Sequence, residues 1–314
     1  MHECHAWAQR NILRPADFTR MIALSAIWGA SFLFMRIAAP VLGALPTAFF
    51  RVLFGALGLA ALLAAMRVRW RFNGKFGATL ALGAINSGVP FIMYCLAAEA
   101  LPAGYSAILN ATTPLMGVLI GALLFGERLT PPKVLAMVLG LAGVGVLTRA
   151  GPVALTPTVL LGAGACLVAT ACYGLAGFLT RRWITEKGGL DSKLVAFGSQ
   201  LGAVLLVLPF FAISSVTGPV PDWGTPGVWA AMAGLGFMCT ALAYILYFRL
   251  IADIGPIKSL TVTFLIPLFG VLWGALFLGE RLSWAHAVGG GLIGLALWLV
   301  LRPAGAAARV RKAA

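Results

Sequence analysis

The sequence predicts an all-α membrane protein of ten transmembrane helices arranged as two inverted five-helix repeats. Three observations carry this. PLMGVLIGALLFGERL, from Pro114 to Leu129, returns as PLFGVLWGALFLGERL from Pro267 to Leu282, shifted by 153 residues with 12 of 16 positions identical. Hydrophobic residues make up 61% of the 314 and charged residues only 10%, in long apolar runs with short interruptions, which excludes a soluble fold and the alternating strands of a β-barrel. Basic residues, finally, are concentrated in every second loop.

Spans of roughly 20 residues are expected at about 19–38, 46–66, 76–98, 102–125 and 132–149 in the first repeat. Those of the second are expected at about 157–180, 193–213, 226–248, 255–278 and 283–301. The first repeat is placed at 19–150 and the second at 155–301, between a cytoplasmic tail (1–18) and a basic cytoplasmic tail (302–314). Basic residues before the first span resemble a signal peptide, but that span is too long and nothing after it reads as a secreted domain, so it is expected to be retained as a helix.

The net charge of +14 would suggest nucleic acid in a soluble chain; here its placement points elsewhere. Of 23 Lys and Arg, 19 fall in the segments on one side of the expected membrane. The other side holds Arg36, Arg149 and Arg281, and Arg51 lies within a span. This bias puts both termini in the cytoplasm and requires an even number of spans. Five spans per copy is odd, so the second copy enters upside down, which supplies mirror-related arrangements around one midplane site. The cell membrane, and the inner membrane of a bacterium, is the expected location.

Pro114 and Pro267 fall mid-span, where proline deletes one backbone hydrogen bond and pushes away the carbonyl four residues earlier, at Asn110 and Thr263. Such kinks serve packing or face a cavity. Gly117 and Gly121, with their copies Gly270 and Gly274, have the four-residue spacing of close helix contacts. Gly126-Glu127-Arg128 and Gly279-Glu280-Arg281 end spans, read as helix termination with interfacial anchoring.

Ser87, Phe91 and Tyr94 share one face of an α-helical third span, and Thr240, Tyr244 and Tyr247 repeat that face 153 residues later. An offset of 145 pairs Trp28 with Tyr173, Gly29 with Gly174 and Arg36 with Arg181. Together with Asn110 and Thr263 these side chains form a candidate cavity lining, suited to a substrate with an apolar or planar part and a polar end. Charge within spans defaults to function. Arg36 and Arg51 with Glu99 are expected near the outer face and Arg181 and Arg249 with Asp253 near the inner one, as alternating gates. His286 reads as a packed or interfacial histidine.

The five cysteines give no disulfide framework, and His2, Cys4 and His5 read as a tail, not a metal site. No cofactor, metal or nucleic-acid partner is expected; a small-molecule substrate and membrane lipids are, and a homodimer is left open. With three histidines, no repeated acidic motif and no phosphate-binding loop, a membrane-embedded enzyme or a non-transporting assembly component is the minor alternative to a carrier.

The repeated proline, the small-residue helix after it, the terminal Gly-Glu-Arg-Leu, Trp28-Gly29 and Arg51 resemble the EamA family of the drug/metabolite transporter superfamily over residues 20–301. That resemblance implies ten helices in two inverted repeats and secondary export of small metabolites, commonly amino acids and related compounds.

Overall fold

The computed structural model describes residues 15–150, 154, 156–217, 222–254, 259 and 262–301. Most of the two expected tails and the start of the ninth expected span lie outside them. The described residues contain helices and no strand. In chain order the helices are α1 (Pro15–Leu42), α2 (Ala44–Ala65), α3 (Phe76–Ala100), α4 (Ala103–Phe125), α5 (Pro131–Ala150), α6 (Pro157–Thr185), α7 (Ser192–Thr217), α8 (Pro226–Ala233, Gly234–Leu242 and Ala243–Ile254, end to end), α9 (Val262–Leu278) and α10 (Trp284–Leu301). Seven of them, α1 to α4 and α6 to α8, are long and apolar enough to cross a membrane, while the apolar stretches Pro131–Leu147, Val262–Leu278 and Trp284–Leu299 are shorter. Leu123, Leu161, Val216, Leu268 and Phe277 stand exposed on the outside of the bundle, a surface that only lipid can cover.

The main helix contacts come in sets. α1 packs along α9 as α6 packs along α4; α3 packs on α6 as α8 packs on α1; α2 packs on α8 as α7 packs on α3. The remaining large contacts join α2 to α7, α4 to α9 and α5 to α10. Adding five to each helix number, and counting round from ten to one, interchanges the contacts within each of the three sets and returns the last three contacts to themselves.

Glycines make the closest of these approaches. A Cβ on Gly174 of α6 would lie 2.9 Å from the Gly117 nitrogen on α4, and a Cβ on Gly29 of α1 would lie 2.9 Å from the Gly270 nitrogen on α9. Contacts this short leave no room for a side chain. Gly274 serves a different purpose from the helix packing expected of it, and Gly121 serves both. A Cβ on Gly274 would lie 2.8 Å from the Glu280 carboxyl carbon, and one on Gly121 would lie 3.2 Å from that of Glu127. Their missing side chains let the glutamates fold back over the helix ends. Gly121 also faces Phe178 of α6.

Three departures from α-helical winding were not expected. π-helical turns occur in α3 at Ala84–Gly88, at the end of α6 at Arg181–Thr185 and in α8 at Gly234–Leu242, and the 153-residue shift carries the α3 segment into the α8 segment. An added residue per turn rotates everything beyond it and marks functional positions in many helices. Ser87, inside the π-helical segment of α3, points to α7, while Phe91 and Tyr94 follow it on α-helical winding, Phe91 under Arg51 of α2 and Tyr94 against α1, α4 and α6.

Ahead of Pro114, α4 breaks at Ala111–Thr112. The Thr113 hydroxyl donates to the Asn110 carbonyl at 2.7 Å and the Thr112 hydroxyl to the Leu109 carbonyl at 2.8 Å. Neighbouring threonines thus satisfy the backbone that the proline sets free. α9 runs without interruption through Pro267.

Candidate functional site

Arg51 is the one basic side chain buried in the middle of the described bundle. α2 carries it inward at 6% exposure. Its guanidinium carbon sits 3.5 Å from the centre of the Phe91 ring, and Nη1 donates to the Met35 sulfur at 3.1 Å. Nε has no acceptor, and no carboxylate lies within ion-pair distance among the described residues.

Four of the expected lining residues meet as duplicated pairs. Trp28 of α1 meets Tyr247 of α8 with ring centroids 5.2 Å apart, and Tyr173 of α6 meets Tyr94 of α3 at 6.2 Å. The 145 and 153 offsets interchange the two pairs, so the residues matched in sequence meet crosswise in space. Tyr94 donates to Asn110 Oδ1 at 2.8 Å and takes an edge contact from Phe32 at 5.5 Å. Burial of a phenol on α3 between α1, α4 and α6 thus joins both halves of the chain.

A second polar group lies between α3, α7 and α8. Gln200 Nε2 donates to the Ser87 hydroxyl at 3.0 Å, and the Tyr244 phenol lies beside Ser87, Gln200 and Asn86. Thr240 turns its hydroxyl back to the Leu235 carbonyl at 3.0 Å, as the π-helical winding allows. The fully buried Gln200 keeps Oε1 without a donor. Gly55 opens the space on α2: a Cβ there would lie 2.7 Å from Thr240 Cγ2 and 3.3 Å from Gln200 Oε1. Gln200 and Asn86 were missed in the sequence reading, although Gln200 is the sole glutamine in any expected span. Thr263 is half-buried at the start of the described part of α9.

The charged groups divide between the two ends of the bundle. At one end Asp253 of α8 accepts from Arg249 Nε at 3.1 Å and from Arg20 of α1, which also reaches Asp17 at 3.2 Å; Arg20 is an addition to the expected set. Arg181 pairs at 3.0 Å with Glu186, away from Asp253. At the other end the expected partners make different bonds. Arg36 donates to the Ala98 and Glu99 carbonyls at 2.7 and 3.0 Å, and the Glu99 carboxylate accepts from the Ala44 amide at 2.8 Å, capping α2.

Glu280 is more deeply engaged than an interfacial anchor. Its two oxygens accept from the Ala103 and Gly104 amides at 2.6 and 3.2 Å, supplying negative charge to the positive end of α4. Gly126 and Gly279, at φ of 68° and 63°, end α4 and α9 as their spacing predicted. Two recesses border this region. One of about 760 Å³ is lined by Ala39–Pro46, Leu96, Glu99, Ser214, Ser215 and Asp222. An apolar one of about 350 Å³ lies between α4, α9 and α10 and includes Pro267 and His286; the His286 Nδ1 is 3.1 Å from the Ser283 hydroxyl.

Comparison with known proteins decides the family. The EamA-like transporter family matches residues 19–149 and 160–302. The chain belongs to that family. Protein PecM of Dickeya dadantii (strain 3937) is 32% identical over 209 residues, spanning 66% of this chain and 68% of the relative. The chloroplastic WAT1-related protein of Arabidopsis thaliana is 26% identical over 308 residues, 92% of this chain and 70% of its own. A probable terminal-alkyne amino-acid exporter of Streptantibioticus cattleyicolor is 26% identical over 192 residues, 61% and 62% of the two chains. A protein crystal structure with 23% identity superposes with a TM-score of 0.58 over 91% of this chain and 97% of that one, a likeness of fold. As an EamA-like protein with an apolar helical exterior, the molecule is a multi-pass membrane protein.

Proposed function

We propose that this EamA-like protein is a secondary transporter that exports small metabolites, amino acids or related compounds, by alternating access around the residues near Arg51. The crosswise pairs Trp28–Tyr247 and Tyr173–Tyr94 carry this reading. They place equivalent aromatic walls on α1 with α8 and on α6 with α3, as a carrier built from two inverted copies requires. The interchange of helix contacts on adding five to the helix number supports ten spans in two inverted repeats, and the loop charges support cytoplasmic termini in the inner membrane of a bacterium. The amino-acid reading draws on the exporter of Streptantibioticus cattleyicolor.

Two expected results test this arrangement. Cysteines introduced at Thr130 and Ser283, in a background without the native cysteines, are labelled unequally by an impermeant reagent added outside intact cells: position 283 reacts and position 130 stays unlabelled. Equal labelling removes the inverted topology. Counterflow in liposomes then separates a carrier, which moves solute unchanged, from an enzyme, which modifies it.

The inner gate follows from Asp253, which ties α1 to α8 through Arg20 and Arg249. Asp253→Asn keeps an acceptor but removes the charge of both ion pairs, from the closed face alone, so it shifts the population toward the inward-open form. Arg249 is 66% exposed and Asp253 27%, and exposed pairs contribute only about 1 kcal/mol, so the shift is about fivefold. Accessibility of a reporter cysteine beside Trp28 reads it, rising from the cytoplasmic side. Glu99→Gln retains an acceptor for the Ala44 amide and has a smaller effect, because Glu99 holds no ion pair to lose.

A further inference from the structure

We infer that Arg51 is the counter-ion for a carboxylate on the transported solute, and that this negative charge, in place of a positively charged amino group, is what the site selects. The inference rests on the transporter reading above and adds the charge of the substrate to it. A guanidinium in the middle of a membrane-spanning helix costs about 2.5–3.5 kcal/mol unless compensated. Here the compensation is a ring face and a thioether. A cation–π contact returns about 0.5–2 kcal/mol, a methionine sulfur is a weak acceptor, and Nε has nothing.

The carboxylates of the described chain are all committed or distant. Glu99 and Glu280 cap helices at one end, and Asp17 and Asp253 hold Arg20 at the other. A planar fork with a free donor, held against the Phe91 ring, matches a carboxylate joined to an apolar or aromatic body. The same surroundings offer an ammonium group no anion. A solute with both charges would therefore gain one ionic contact, through its carboxylate, and lose nothing when its amino group is masked or missing.

The experiment uses the full-length protein in lipid nanodiscs and measures binding of three sets of probes. These are phenylacetate, phenylacetamide and phenethylamine; indole-3-acetate, indole-3-acetamide and tryptamine; and hexanoate, hexanamide and hexylamine. In at least one set the acid binds about tenfold or more tightly than its amide, and the amine binds no better than the amide. Arg51→Gln brings that acid to the level of its amide without weakening the amide, and Arg51→Lys falls between. Amides or amines that bind as tightly as acids to the unaltered protein overturn the assignment, and so does binding of none of the nine. A loss in Arg51→Gln shared equally by acid and amide also overturns it, since that is the signature of a packing or gating role. The comparison within the unaltered protein stands even if Arg51→Gln does not fold. Acids that bind but show no counterflow refute the transporter reading while leaving Arg51 its role; counterflow without charge preference does the reverse.

Discussion

Gly83→Ala destabilises the protein by about 3 kcal/mol, the upper part of the range for over-packing, and lowers its melting temperature in detergent accordingly. The added methyl would collide with the Ser199 carbonyl and lie 2.8 Å from Ser199 Cα. Both are backbone atoms, so no side-chain rotation relieves the clash, and α3 must move from α7. Further along, a Cβ on Gly198 would lie 2.6 Å from Thr79 Cβ and one on Gly202 would lie 2.6 Å from Leu80 Cα, which shows that the whole α3–α7 contact is made at backbone distance. Gly77→Ala is the control on the same helix. Nothing lies within 4 Å of its Cβ, and the gain in helix propensity makes it neutral or slightly stabilising. Equal melting of the two variants would show that α3 and α7 do not meet as described.

Tyr244→Ala lowers transport by about tenfold or more while leaving the folded yield near that of the unaltered protein. The loss has two parts. The phenol lies beside Ser87, Gln200 and Asn86, and its removal takes one hydroxyl out of that polar cluster. The ring, stacked on Phe248 at 5.9 Å, also forms part of the aromatic wall, and such rings contribute about 0.5–1.5 kcal/mol beyond their area. Tyr244→Phe separates the parts by retaining the ring. Trp28→Ala tests the opposite wall by removing the contact with Tyr247. Counterflow rates in liposomes measure all three; unchanged kinetics in both Tyr244→Ala and Trp28→Ala would take these residues out of the site.

Much of the architecture could be read from periodicity and repetition, because both report directly on burial. Helix α9 ends at Leu278, where Gly279 was read as its stop. The 145 and 153 offsets identified Trp28, Tyr94, Tyr173 and Tyr247, although a linear offset cannot tell that the copies meet crosswise. Regular winding was assumed in placing Ser87, Phe91 and Tyr94 on one face, and the π-helical turns at Ala84–Gly88 have no distinctive composition that would have warned against it. Partners of charged residues were the least legible. Arg36, Glu99 and Glu280 bind backbone groups, and a backbone amide at a helix start has no letter in the sequence. Gln200 is different: a lone glutamine in an apolar span was a readable signal.

The cap on α4 makes the first half of this chain structurally dependent on the second. Ala103 and Gly104 belong to the first copy of the repeat, and the carboxylate that satisfies their amides belongs to the second. A five-helix polypeptide made alone would begin its fourth helix with exposed donors and would find the missing carboxylate only on another polypeptide lying against it. Covalent fusion of the copies supplies that neighbour within one molecule. Assembly of the first half is therefore completed only after Glu280 has been synthesised, late in translation.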